Sequence, residues 1–312
     1  GATFSPDGQF ILTYGGEVAW HKNTGVGELK LWDGQGNLIQ EFPVQEKVNE
    51  ALFSSDGKYI LSGGGRYTNQ SNVGEVKLWK IEDSTCISFL VKQKVNTVRF
   101  GPQEKYILAG GGEFYGELKL WDRAANLLQD FPVFVNVLSL SFSPDGQHLL
   151  SGEGYGDVGT LELWDLKGGQ KIQEFKTDHA VCDAFYSPDG QNIISAGGYL
   201  DMNAGLRIWN QEASLAINIP IQYGIHSVDR SLDGRYLVSG GGNLETGELV
   251  LWDNEREKVQ PFQPLRFPVY AVLLIPEAKM IVSGGGEDDP PTRELKLWDL
   301  QGNLIQELVD KE

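Results

Sequence analysis

The chain has 312 residues, with 26 basic against 43 acidic side chains and a formal net charge of −17. That balance argues against phosphate-neutralising nucleic-acid binding and against docking on an anionic membrane. Apolar residues at 40 % and aromatics at 11 % are enough for a sizeable core and too many for a disordered chain.

From the N-terminus the chain reads as one unit repeated seven times. The first copy has FSPDG at Phe4, a glycine-rich stretch headed by Thr13, LKLWD ending on Trp32, and an apolar run over residues 37–42. The second has FSSDG at Phe53, Ser62 before three glycines, and VKLWK with Trp79. The third has FGPQE at Phe100, Ala109, and LKLWD with Trp121. FSPDG at Phe142, Ser151 and LELWD with Trp164 mark the fourth; YSPDG at Tyr186, Ser195 and LRIWN with Trp209 mark the fifth. The sixth has RSLDG at Arg230, Ser239 and LVLWD with Trp252, and the seventh a degraded LIPEA at Leu274, Ser283 and LKLWD with Trp298. Successive tryptophans are 42 to 47 residues apart.

Pro-Asp-Gly between apolar runs is turn chemistry, because proline presets φ and glycine accepts positive φ. Each copy therefore reads as four short strands, a to d: one before the Asp-Gly turn, one ending in Ser-Gly-Gly-Gly, the LKLWD run, and the run that follows. No stretch of twelve or more residues has a helical apolar period. Such a sheet has two apolar faces. Packing copies face to face around an axis buries both and leaves few open edges. The repeat length and the seven in-phase copies of FSPDG and LKLWD resemble the WD-repeat family. The resemblance covers essentially the whole chain and implies an all-β, seven-bladed β-propeller with four antiparallel strands per blade. It predicts one domain over residues 1–312, with blades near 1–44, 45–92, 93–134, 135–177, 178–221, 222–265 and 266–312.

The sequence departs from that family's pattern in three ways. The family's hydrogen-bonded tetrad needs a Gly-His pair and an Asp six residues before Trp. There is no Gly-His pair, and those positions hold Val26, Val73, Tyr115, Val158, Asn203, Thr246 and Thr292. The seven tryptophans are accordingly expected to act by packing between blades. Second, the b–c connections are long, with 12 to 19 residues from the strand-b Ser (or its substitute) to Trp. A Gly-Glu pair often re-enters strand c, at Glu28, Glu75, Glu117 and Glu248, with Glu294 after Arg. These acids read either as solvated strand starts or as a ring of carboxylates attracting cations or basic peptides. Third, the chain begins with strand a and ends with strand d. The expectation is a ring closed by packing of blade 7 on blade 1 without strand exchange; the alternative is completion by upstream residues of a longer protein.

Tests for chemistry come out bland. Residues 154–159 (GYGDVG) match a dinucleotide fingerprint, but a strand follows where that motif needs a helix. There is no Walker A sequence, Gly-x-Ser-x-Gly elbow or HExxH. The four histidines have no metal-ligand spacing. No cofactor and no metal are expected. The two cysteines, Cys86 and Cys182, read as buried small hydrophobes. The longest uncharged apolar run, residues 267–276, is too short to span a bilayer as a helix. A cytoplasmic protein is expected.

The variable b–c segments carry the candidates for partner binding: Tyr14, Trp20, His21, Arg66, Tyr67, Phe114, Tyr115, Tyr155, Asp157, Tyr199, Asp201, Asn243, Glu245, Asp288 and Asp289. Loop aromatics beside acids suit a binding surface. Asn49, Asn96, His226 and Tyr270 align on strand a as candidates for lining a central channel. The function expected is a non-enzymatic, monomeric scaffold that binds a protein or peptide of basic character on the face formed by the b–c and d–a loops, without nucleic acid or membrane. The alternative is a small-molecule binder or enzyme using the channel.

Overall fold

The computed structural model describes residues 1–19, 24–68, 71–156, 158–199, 202–219, 221–231, 233–243, 245–275, 279–288 and 291–307. It is all-β. Seven four-stranded antiparallel sheets, each built from four consecutive strands, form the blades of a β-propeller. They span residues 2–41, 48–89, 95–130, 137–176, 181–219, 225–261 and 269–307. Among the described residues the one helical turn is a 3-10 turn at Pro102–Glu104, where FGPQE replaces the usual Ser-x-Asp-Gly. Among the described residues no helix is long and apolar enough to cross a membrane. The first sheet includes its own strand a (Ala2–Phe4) and the last its own strand d (Leu304–Glu307), without a borrowed strand.

The chain divides into two compact units, Gly1–Ser151 with Trp164–Lys171 and Gly152–Leu163 with Ile172–Glu312. In the first, cores form between successive blades. Leu12, Leu29 and Leu31 of blade 1 pack on Val48, Ala51, Ile60 and Trp79 of blade 2. Leu61, Val76 and Leu78 of blade 2 pack on Val95, Val98 and Trp121 of blade 3. In the second unit Ile194, Leu206 and Ile208 meet Ile225, Leu237 and Trp252, and Val238, Leu249 and Leu251 meet Val269, Ile281 and Trp298. Strand alternation makes this possible: odd and even positions of strands b and c face opposite neighbours, so both faces are apolar.

The tryptophans do more than pack. Trp79, Trp164, Trp209 and Trp298 donate Nε1–H to Ser62, Ser151, Ser195 and Ser283 Oγ at 2.8–2.9 Å, and Trp32 to Thr13 Oγ1 at 2.8 Å. A phenylalanine at or just past the end of strand d of the preceding blade meets the ring: Phe42 with Trp79, Phe89 with Trp121 and Phe131 with Trp164, at 5.5–5.6 Å between centroids. Phe175 with Trp209 and Phe262 with Trp298 repeat this in the second unit.

The b–c connections are not the long loops expected. In blade 2, strand b runs Tyr59–Thr68 and strand c Ser71–Lys80, in unbroken register from Tyr59↔Lys80 to Thr68↔Ser71. In blade 1, strands b and c run Phe10–Ala19 and Thr24–Asp33; in blade 7, Met280–Asp288 and Pro291–Asp299. The ladder continues because each glycine triplet ends in a residue with φ between 124° and 154°, such as Gly65 and Gly112. A Cβ at Gly65 would overlap the Val73 carbonyl oxygen on strand c. Only glycine allows the two backbones to approach there while the hairpin runs on.

Candidate partner-binding site

The ends of the b–c hairpins lie against the d–a connections. A Cβ at Gly27 would meet the Glu46 carbonyl, at Gly74 that of Gln93, and at Gly116 that of Val135. In the second unit Gly159 meets His179 and Gly247 meets Phe267 in the same way. Within each unit, then, hairpin tips and d–a connections share one end of the sheets.

The Gly-Glu acids are used at this end and are not a free anionic ring. Glu117 Oε2 accepts the backbone N–H groups of Lys92 and Gln93, both at 2.8 Å, and Glu248 those of Gln222 and Tyr223. Lysines two residues on pair with them: Lys77 with Glu75 at 2.8 Å, Lys296 with Glu294 at 2.6 Å, and Lys119 with Glu117. A carboxylate saturated by two amides and an ammonium ties the incoming connection to strand c, and offers little field to a distant cation.

Of the candidates, Tyr67, Phe114 and Tyr115 come together. Tyr67 lies near the end of strand b of blade 2, and Phe114 and Tyr115 occupy the short turn between Gly112 and Gly116 in blade 3. The Tyr67 and Phe114 rings meet edge to face, 5.6 Å apart at 84°. Phe114 is 54 % and Tyr115 76 % exposed. Phe134, which the sequence reading passed over, is 78 % exposed on the d–a connection into blade 4. The backbone contact of Gly116 with Val135 holds Phe134 and Tyr115 on adjacent segments. A signal for Phe134 was present: the connection reads FPVF, where the first blade has FPVQ.

Other candidates lie elsewhere. Tyr14 is in strand b of blade 1 and packs against the core shared with blade 2; burial raises its pKa. Arg66 is paired with Glu46, both nearly buried. Asn243 Oδ1 caps its turn by accepting the N–H groups of Glu245 and Thr246 at 2.9 Å, with Glu245 exposed beside it. Tyr155 is exposed at the tip of the blade-4 hairpin. Tyr199 and Asp288 end their b strands. Trp20, His21, Asp157, Asp201 and Asp289 lie outside the described residues.

The strand-a candidates mostly hold neighbouring strands. Asn49 Nδ2 donates to Val95 O at 2.7 Å, and Asn96 Nδ2 to Val137 O at 2.9 Å and Asn136 Oδ1 at 2.6 Å. His226 and Tyr270 stack at 5.2 Å with much of both rings in solvent, though surrounding protein still lowers the His226 pKa. Asp229 accepts Leu274 N–H at 2.8 Å while burial raises its pKa.

One cluster was not singled out from the sequence. His179 is fully buried, its Nδ1 is 2.9 Å from Asp178 Oδ1, and Arg207 Nη2 reaches the same oxygen at 2.6 Å. Burial holds the His179 pKa below its ordinary value, so the imidazole is neutral at pH 7. Its Nε2 meets no partner among the described residues. Of the two cysteines, Cys86 departs from the expectation of a buried small hydrophobe, being exposed on strand d, whereas burial pushes the Cys182 thiol up to about 11.

Residues 75–152 and 134–223 match the family model described as eukaryotic translation initiation factor eIF2A, a little under half of the chain. No curated protein matches it.

Proposed function

We propose that the protein is a non-enzymatic, WD-repeat-like scaffold of the translation machinery. Its partner is a protein or peptide segment of basic character, held on the b–c/d–a end of blades 2 and 3. The observation that carries this reading is the aromatic cluster of Tyr67, Phe114 and Tyr115 with Phe134 beside it. Rigid aromatic anchors in contact, with outer members mostly in solvent, are the usual makings of an interface hot spot. The likeness to the initiation-factor family runs from strand c of blade 2 through blades 3 to 5 and supports a translational partner. The charge of −17 favours a basic protein surface over bare RNA.

The test is sedimentation of the tagged chain through sucrose gradients of source-cell lysate at low and moderate salt. Wild type is compared with a Tyr67→Ser/Phe114→Ser/Tyr115→Ser/Phe134→Ser variant whose fold has been checked by circular dichroism. Co-migration with ribosomal subunits in wild type and its loss in the variant is the expected result, each aromatic contributing roughly 2 kcal/mol or more. Equal migration of both proteins with the subunits would move the site off this cluster, and migration of neither would remove the translational partner.

A further inference from the structure

The other end of the same sheets, where the a–b and c–d turns lie, carries an unassigned cleft. It is a cavity of about 510 Å³ between strand d of blade 3 (Leu127–Asp130) and the turns of blade 4. Tyr106, Leu120, Leu128 and Leu166 make its apolar floor, and Gln129 and Lys167 stand on its polar rim. Clefts at the corresponding places between blades 5 and 6 and between blades 6 and 7 hold about 100 and 150 Å³.

The corresponding junction of blades 1 and 2 differs in one contact. There Gln40 of strand d, paired in register with Leu31, donates its side-chain amide to Ser84 in the c–d turn of blade 2. At the junction of blades 3 and 4, Gln129 holds the same register place opposite Leu120. The counterpart of Ser84, five residues after Trp in each case, is Gly169. Both turns have the same backbone, φ 58° at Ser84 and 65° at Gly169. Gly169 offers no hydroxyl; the Gln129 amide lies where a Gly169 Cβ would be and donates to the Asp130 carbonyl at 3.2 Å.

Two further observations bear on the occupant. Strand d is the outermost strand of its sheet, so one edge of its backbone has no strand partner. Leu128 is 48 % exposed on it. Lys167 is exposed and has no ion pair or hydrogen bond among the described residues, although Asp165 is nearby. Asp165 already accepts Gly168 N–H at 2.5 Å. A free strand edge, an apolar floor and an unneutralised cation are the three contacts an extended acidic-apolar peptide would make. We propose that this cleft binds a peptide segment in strand conformation, adding to the edge of Leu127–Asp130, with an apolar side chain on the floor and a carboxylate at Lys167.

The experiment uses the full chain, isotope-labelled, and backbone-amide NMR. The probe is an acetylated, amidated hexapeptide, Thr-Val-Phe-Thr-Asp-Thr, and its counterpart with Lys for Asp. The expected result is saturable shifts confined to residues 127–130, 146–147 and 165–169, with the Lys peptide about threefold weaker, the scale of an exposed ion pair. Lys167→Glu is expected to reverse that order. Leu128→Asp, at a position 48 % exposed on the strand edge, should abolish binding by placing a carboxylate on the apolar floor. The proposal is overturned by no shifts, by shifts centred elsewhere, by binding indifferent to Leu128→Asp, or by a peptide no tighter than phenylacetamide alone.

Discussion

Blades 2 and 6 contain the same four strands and the same buried tryptophan, yet the tryptophan is held differently. In blade 2, Trp79 donates to Ser62 Oγ at 2.9 Å and lies against Phe42. In blade 6, Leu237 pairs with Trp252 as Ile60 pairs with Trp79, and Ser239 stands two residues on as Ser62 does. The Trp252 Nε1–H is nonetheless buried without a partner among the described residues, and Ile219 replaces the phenylalanine. Leaving such a donor unpaired costs about 1–3 kcal/mol. The blade forms regardless, so what fixes the position is the apolar volume of the ring between two blades. The hydroxyl is an addition that some blades have and others lack.

The comparison breaks first at the rings themselves. Trp79→Ala and Trp252→Ala are each expected to lower unfolding stability by about 3–5 kcal/mol, read from urea midpoints. The Trp252 value should be at the lower end, because its removal also relieves an unpaired donor. A loss below about 1 kcal/mol at Trp252 would show that blade 6 is not held by ring packing.

The glycine triplets should behave alike in the two blades. Gly65 and Gly242 have φ of 138° and 149°, and a Cβ on either would overlap a carbonyl, that of Val73 on strand c and that of Thr246 just before strand c. Gly65→Ala and Gly242→Ala are expected to cost roughly 3 kcal/mol each, from left-handed backbone strain and overpacking together. Gly8→Ala, at φ 69° with open space around it, should cost about 1 kcal/mol. Equal losses at all three positions would mean that close approach of the strands is not what the triplet serves.

The strands, their order and the Asp-Gly turns were legible in the sequence because each depends on neighbours within a few residues. Contacts across blades were not. Nothing near Phe42 announces that its ring meets Trp79, and nothing near Glu117 announces that it caps the amides of Lys92 and Gln93. The b–c segments were misread as loops for a related reason. Alternation fades beyond the triplet, where polar residues such as Asn72 occur on a ladder that still pairs, so the strand has backbone register without an apolar signature. Tyr67, Phe114 and Tyr115 could be named as aromatics of the b–c segments, but the meeting of Tyr67 with Phe114 depends on two hairpins of different blades.

The hydroxyl partners offer a finer test. Ser62→Ala leaves Trp79 Nε1 buried and unpaired and should cost about 1–3 kcal/mol in thermal or urea unfolding. Ser239→Ala removes no bond from Trp252 and should stay within about 0.5 kcal/mol. Similar losses in both blades would mean that Ser239 supports Trp252 in solution after all.

The smallest effect belongs to the a–b turns, where the two blades are again the same. Ser54 Oγ donates to Asp56 Oδ1 at 2.7 Å and Ser231 Oγ to Asp233 Oδ1 at 2.5 Å, and each carboxylate also accepts a backbone N–H two residues on. These bonds, the serine's first, hold both pKa values below the usual aspartate value. A carboxyl that is more acidic folded than unfolded contributes stability above its unfolded pKa, about 3.9. That contribution is lost as pH falls through the lower folded value. Urea midpoints should therefore hold between pH 7 and 5 and fall below about pH 4, and Asp56→Asn or Asp233→Asn should each flatten that fall by a similar small amount. Blade 3, whose turn carries Gln103 and Glu104 in place of Asp-Gly, supplies the control: Glu104→Gln should leave the part of the acid slope due to these turns intact. A slope that survives both aspartate variants unchanged would assign the acid sensitivity to other carboxylates, of which Asp33, Asp122 and Asp299, each bonded to an asparagine four residues on, are next in line.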